Sequence, residues 1–316
     1  MRHINYFKLI QKAFHIAWKN KYLWWLGFFV AFGQSASVVF NYSKNDGPAN
    51  QPVLDFVYSH MPIILLAAAM ILLIYAVIIV LAIVGRGSII KAAGESVKGR
   101  KMNFHSAVHQ GKKYFWRLFL IGLIMGALTI GTLFVFLVPV YFFFYTKSYI
   151  TGSVIAALAV IIVIPLMFLI TFLRTYGYLY AVLGDLPFGE ALENAYSLFR
   201  ENVLTSLVAL LVFALIGLIL AILVGLIILP VVVIFALLSG ILYLLAGAAG
   251  VTAASVFGAV VVGVILLAIL SVFEVFKQAL WVLFFEEIAR PGVKEKVSEK
   301  EVARNINSVP NPVKTV

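Results

Sequence analysis

His105 and His109 stand four residues apart, a spacing that turns two imidazoles to one side of a helix and suits a zinc ion. The residues between them are Ser-Ala-Val, without the glutamate of a metalloprotease helix, and no third ligand is evident. The pair therefore reads as solvated. Three charged residues lie in or at the edge of long apolar runs: Arg174, Glu274 and Lys277. An ionisable group inside a membrane span marks an ion or substrate path or a proton relay. Arg174, however, follows Thr151 by about a span's length, where a guanidinium reaches the interface by extending its stem. Glu274 and Lys277 are three apart and can neutralise each other on one helix face. There is no phosphate-binding loop, dinucleotide fingerprint or nucleophile elbow. With no cysteine, thiol chemistry and disulfides are excluded. The pattern predicts no catalytic residue, no metal and no cofactor.

The elements that would carry these residues belong to a membrane protein. Hydrophobic residues make up 63% of the 316, and charged residues 12%. A soluble domain cannot hide so much apolar surface, so the natural solvent is a bilayer and the expected fold is an all-α transmembrane bundle. The net charge of +11 reports orientation rather than a nucleic-acid partner, because cytoplasmic loops collect Lys and Arg and no aromatic-basic binding surface is visible.

A short amphipathic pattern precedes three of the long apolar runs. Phe188, Ala191, Leu192, Ala195 and Phe199 fall on one face of a helix, with Glu190, Glu193, Asn194, Ser197 and Arg200 opposite. The same frame fits Phe104, Ala107, Val108, Gly111 and Phe115, and again Tyr6, Leu9, Ile10, Ala13 and Ala17. The first copy carries Lys8, Lys12, His15 and Lys19 on one stripe, and the second ends in Lys112, Lys113 and Arg117. Those six Lys and Arg residues are candidate contacts to anionic lipid head groups. The third copy is acidic and is expected to pack on the basic ones. Asp185 reads as its helix cap, ahead of Pro187.

Spans are expected at 22–40, 62–84, 118–144 and 151–173, then from Val203 to about Leu229 and from Val251 towards Phe285. Gly122 and Gly126 form a GxxxG spacing. Pro139 should kink or end the third span. No charge interrupts Val203 to Phe273, so 230–250 reads either as a seventh span or as a re-entrant or outer hairpin. Six spans fit better, since the basic residues after Phe285 favour a cytoplasmic C-terminus. Gly85 to Arg117 holds eight bases and one acid, which places that loop and the N-terminus in the cytoplasm. Ser35-Ala36-Ser37 offers a signal-peptidase site, but the long amphipathic region before it is unlike a signal peptide. The polar loop 41–60 contains a glycosylation acceptor pattern at Asn41, and 290–316 reads as a disordered cytoplasmic tail.

The order resolves into three tandem units of one short helix and two spans, at about 1–98, 99–184 and 185–289. Ala13-Phe14 with Asn20 is echoed by Ala195-Tyr196 with Asn202. Gly85-Arg86-Gly87-Ser88-Ile89-Ile90 through Asn103-Phe104-His105-Ser106-Ala107, and Asp185-Leu186-Pro187-Phe188-Gly189-Glu190-Ala191-Leu192, resemble a broad group of uncharacterised bacterial six-span integral membrane proteins. That group is similar to the membrane domain of some glycerophosphodiester phosphodiesterases, and the likeness covers roughly residues 5–288. It implies a helical membrane protein and supplies no catalytic residue; the soluble barrel of such fusions is absent from this sequence. The expected function is a non-catalytic scaffold, or an assembly or lipid-interacting factor, in a prokaryotic plasma membrane. Its expected partners are the bilayer, anionic head groups and a membrane protein or second copy of itself. The alternative is a transporter or lipid-handling permease, which needs a polar path through Arg174, Glu274 and Lys277. An enzyme ranks last.

Overall fold

The computed structural model describes residues 4–35 and 60–307. Eight helices account for nearly all of them: α1 (Tyr6–Lys19), α2 (Leu23–Ser35), α3 (Met61–Val97), α4 (Phe104–Lys113), α5 (Phe115–Tyr145), α6 (Tyr149–Leu183), α7 (Phe188–Glu201) and α8 (Val203–Asn307). Among the described residues the fold is all-α. Four helices, α3, α5, α6 and α8, are long and apolar enough to cross a membrane. In the most apolar stretch of each, between 0% and 11% of residues are buried. Side chains so apolar and so exposed require lipid as their solvent. The chain is a membrane-embedded helical bundle.

Helix α8 is two helices reversed at Gly247, whose φ of 58 and ψ of −143 lie where only glycine is comfortable. Its arms run antiparallel: Phe235 packs on Phe257 with ring centroids 5.8 Å apart, and Gly250 sits against Leu242. Residues 230–246 are thus the outer part of the first arm rather than a seventh span. That arm is about 44 residues and ~66 Å long, well beyond a bilayer of ~40–45 Å. The chain carries no charge from Val203 to Phe273, and Glu274 is the first charged residue of the returning arm.

Helix α2 is described over 13 residues, short of a span, and the polar loop with Asn41 lies outside the described residues. Pro139 and Pro165 are absorbed inside α5 and α6, which continue beyond them. The turn between those helices holds Lys147 at φ 60, flanked by exposed Tyr141, Tyr145 and Tyr149. The backbone after Ala289, expected as a disordered tail, is helical to Asn307, and 308–316 lie outside the described residues.

Contacts divide the chain into two compact units that interleave along it, a partition unlike the tandem one of the sequence pattern. The first takes Lys12–Trp116 and Leu210–Ala279. Its core joins Ala17, Leu23, Leu26 and Val30 to Ile89, Ala92, Ala107 and Val275. Helix α4 packs on the last third of α3. Gly111 makes this possible, because a Cβ there would overlap Ser88 Oγ and the Val84 carbonyl.

The second unit gathers Arg117–Ala209 with the chain before Lys12 and after Ala279. Its core is aromatic. Phe172 lies 5.7 Å from Phe199 and 5.6 Å from Trp281, and Tyr6 stacks on Phe284 at 6.4 Å. Tyr176 and Ser206 share a buried hydrogen bond of 2.9 Å. Helix α7 packs on α6. Of the GxxxG pair, Gly122 meets the Tyr178 hydroxyl, while Gly126 has open space around it.

Candidate functional site

Among the described residues one charged side chain is buried, Glu274, where the second arm of α8 leaves its apolar stretch, with half-buried Lys277 beside it. Arg86 follows an uncharged run that begins at Met61, and Glu274 follows the run that begins at Val203. Glu274 is 4% exposed. Its Oε2 receives the Lys277 ammonium at 2.5 Å, one turn along the same helix. Its Oε1 accepts a hydrogen bond from Gln278 Nε2 at 2.8 Å. The Arg86 guanidinium acts on the same carboxylate through space. One turn before Glu274, Ser271 Oγ donates to the Trp24 carbonyl, where α2 begins. The cluster thus joins the start of α2 to α8, with the charge of Arg86 on α3 acting on it.

The Lys277 ammonium and the Gln278 amide engage the carboxylate there, which offsets the cost of burying Glu274. Both carboxylate oxygens are engaged by protein donors. Among the described residues no three His, Asp or Glu side chains gather as a metal group would require. The arrangement can lock helices, and it can hold a proton or an anion only by first breaking an internal bond.

The other residues singled out by pattern lie elsewhere. Arg174 is exposed on α6, and His105 and His109 are exposed on α4. Lys8, Lys12 and Lys19 are exposed along α1, and Lys112 and Lys113 at the end of α4. The Lys113 ammonium lies 5.3 Å above the ring of Tyr114. Arg117 is paired with Asp185 at 2.6 Å, joining the start of α5 to the turn that follows α6. Asp185 consequently does not cap α7. It takes φ 51 in the turn after α6, and Pro187 occupies the cap position with no side-chain bond. An open groove of about 450 Å³ runs along α5 past Ile124, Leu128, Gly131, Thr132 and Val135. It is apolar except for Thr132, as expected of a face that meets lipid.

No family model, curated protein or solved structure matches the chain.

Pattern reading missed Arg86 and Gln278. Arg86 counted only towards the charge of its loop, yet it immediately ends an uncharged run, which is the signal that could have marked it. Gln278 lies four residues after Glu274, the spacing of a helical side-chain pair.

Proposed function

We propose that this protein is a non-catalytic scaffold of a prokaryotic plasma membrane, with both termini cytoplasmic, that engages anionic lipid through its short helices. The observation that carries this reading is the two-sidedness of α1, α4 and α7. Each buries small or aliphatic residues on one side: Leu9, Ala13, Ile16 and Ala17; Ala107 and Gly111; Ala191, Ala195 and Leu198. The exposed sides of α1 and α4 carry Lys8, Lys12, Lys19, Lys112 and Lys113. A cation row held on a rigid helix beside a membrane span gains roughly 1 kcal/mol per residue near an anionic leaflet. The resemblance to six-span bacterial proteins supports the same architecture and brings no chemistry with it.

The three short helices also share a mode of attachment, which supports a tandem origin. Helix α4 packs on α3, α7 on α6, and Tyr6 of α1 stacks on Phe284 in the second arm of α8. In each case the partner is the second long helix of the preceding unit, counted cyclically.

The test is the full-length chain reconstituted in nanodiscs of zwitterionic or anionic lipid. Anionic lipid should raise its melting temperature in low salt, and Lys8→Glu, Lys12→Glu and Lys19→Glu together should remove that gain. Equal melting in both lipids would overturn the reading. The burial of Glu274 beside Arg86 favours a second reading, a transporter or permease. Flux of a candidate solute into proteoliposomes that stops in Glu274→Gln, with folding intact, would establish it.

A further inference from the structure

Helix α1 has three faces, not two. Leu9, Ala13, Ile16 and Ala17 are buried on one, and Lys8, Lys12, His15 and Lys19 line a second. The third is aromatic and open: Phe7 is 78% exposed, Phe14 57% and Trp18 53%. These recur at i, i+7 and i+11, a single edge of the helix with exposed Gln11 in its midst. Phe14 and Trp18 stack at 5.8 Å, and Lys21 stands 5.9 Å over the Trp18 ring.

Large aromatics left open in this way need an explanation, and the neighbouring element offers one. Trp18 packs at 5.5 Å on Trp24, in the first turn of apolar α2, and Trp24 Nε1 donates to the Ala17 carbonyl at 2.9 Å. The aromatic edge is therefore continuous with the Trp24 ring at the start of apolar α2, and amphipathic aromatics flanking apolar helices favour the head-group layer. The basic stripe borders the same edge. Neither α4 nor α7 repeats this arrangement. The exposed face of α7 carries Glu190, Glu193 and Glu201, with Tyr196 as its large aromatic.

We propose that the Phe7–Phe14–Trp18 edge of α1 inserts into the head-group layer of the adjoining leaflet, while Lys8, Lys12 and Lys19 hold anionic lipid phosphates beside it. The proposal rests on the lipid-engaging reading above and assigns it to one helix edge. Partition of three aromatic side chains and attraction of three ammonium groups act together, so the docking should be strong in anionic bilayers, weak in neutral ones and weakened by salt.

The absence of cysteine makes the test clean. Gln11→Cys, which keeps all three aromatics, is labelled with an environment-sensitive fluorophore in the full chain, with Glu193→Cys on α7 as the reference. Both are reconstituted in phosphatidylglycerol–phosphatidylcholine and in pure phosphatidylcholine vesicles. In the anionic vesicles the label at 11 should be quenched several-fold more by nitroxide-bearing lipid than by aqueous iodide, and the label at 193 the reverse. Phe14→Ser with Trp18→Ser should return the label at 11 to water. Iodide quenching of both labels alike would overturn the proposal, as would protection at 11 that appears only at high protein-to-lipid ratio, the mark of a second copy. Equal lipid quenching in neutral vesicles would overturn the role of the lysines. If anionic lipid still raises the melting temperature while the label at 11 stays wet, this edge is wrong and the scaffold reading stands; if neither occurs, both fail.

Discussion

Glu274 shows how much rests on single residues here. Its carboxylate offsets Lys277 directly and Arg86 through space, in a site where water is scarce. Replacing it by alanine leaves Lys277 without its acid. Glu274→Ala should cost about 3 kcal/mol, the low end for a broken buried pair because Lys277 keeps partial access to solvent. Exchanging both partners, Glu274→Met with Lys277→Met, removes the charges together and should recover most of that loss in a thermal melt. Recovery no better than the single variant would show that Arg86, not Lys277, is the essential partner. Half of this site was legible in the sequence. Glu274 and Lys277 lie three apart, and helical geometry alone brings them together. Arg86 is nearly two hundred residues away, and no local periodicity reveals which helix it will meet.

At the scale of the element, the short helices were legible because burial follows a period of 3.6: Leu9, Ala13 and Ala17, Ala107 and Gly111, and Ala191 and Ala195 of the apolar frames are buried, although Phe104 is exposed and buried Ile16 and Leu198 lie outside the frames. The fourth frame position is small in all three, Ala13, Gly111 and Ala195, and all are buried. Gly111→Val should force α4 off α3 and cost about 1–3 kcal/mol, seen as faster proteolysis between Arg100 and Tyr114. Helix ends echo as well. Asn20 Nδ2 donates to the Ile16 carbonyl at 2.9 Å, and Asn202 Nδ2 to the Leu198 carbonyl at 3.1 Å. Each closes the end of a short helix from the same position in the frame. Asn20→Ala and Asn202→Ala should each cost about 1 kcal/mol; a large effect of one and none of the other in a denaturation series would argue against common design. What the pattern could not show was the aromatic edge of α1, because a search for one apolar face stops when it finds one. Nor could it show the role of Asp185, which reads as a cap until Arg117 is seen to claim it.

Across the whole molecule, burial is uneven. In α3 it begins at Val84, in α6 it gathers from Ile170, and in α8 it runs from Ser271 to Ala289. The apolar stretches of these helices face outward, so the packing that specifies the fold lies where the short helices attach, and the bilayer is left to specify the rest. Charge predicts the topology: single cysteines at Ser148 and Ala246 should react with a membrane-impermeant maleimide in intact cells, and one at Lys101 only after lysis. Labelling of the residue-101 variant in intact cells would reverse the orientation proposed above. The hairpin of α8 then poses a problem of biogenesis. Between Glu201 and Glu274 an emerging chain offers the insertion machinery no charge to halt it, and the first arm alone exceeds the membrane's thickness. No charge marks the reversal, which rests on the backbone at Gly247, and Glu274 and Lys277 are the first charges to follow the hairpin.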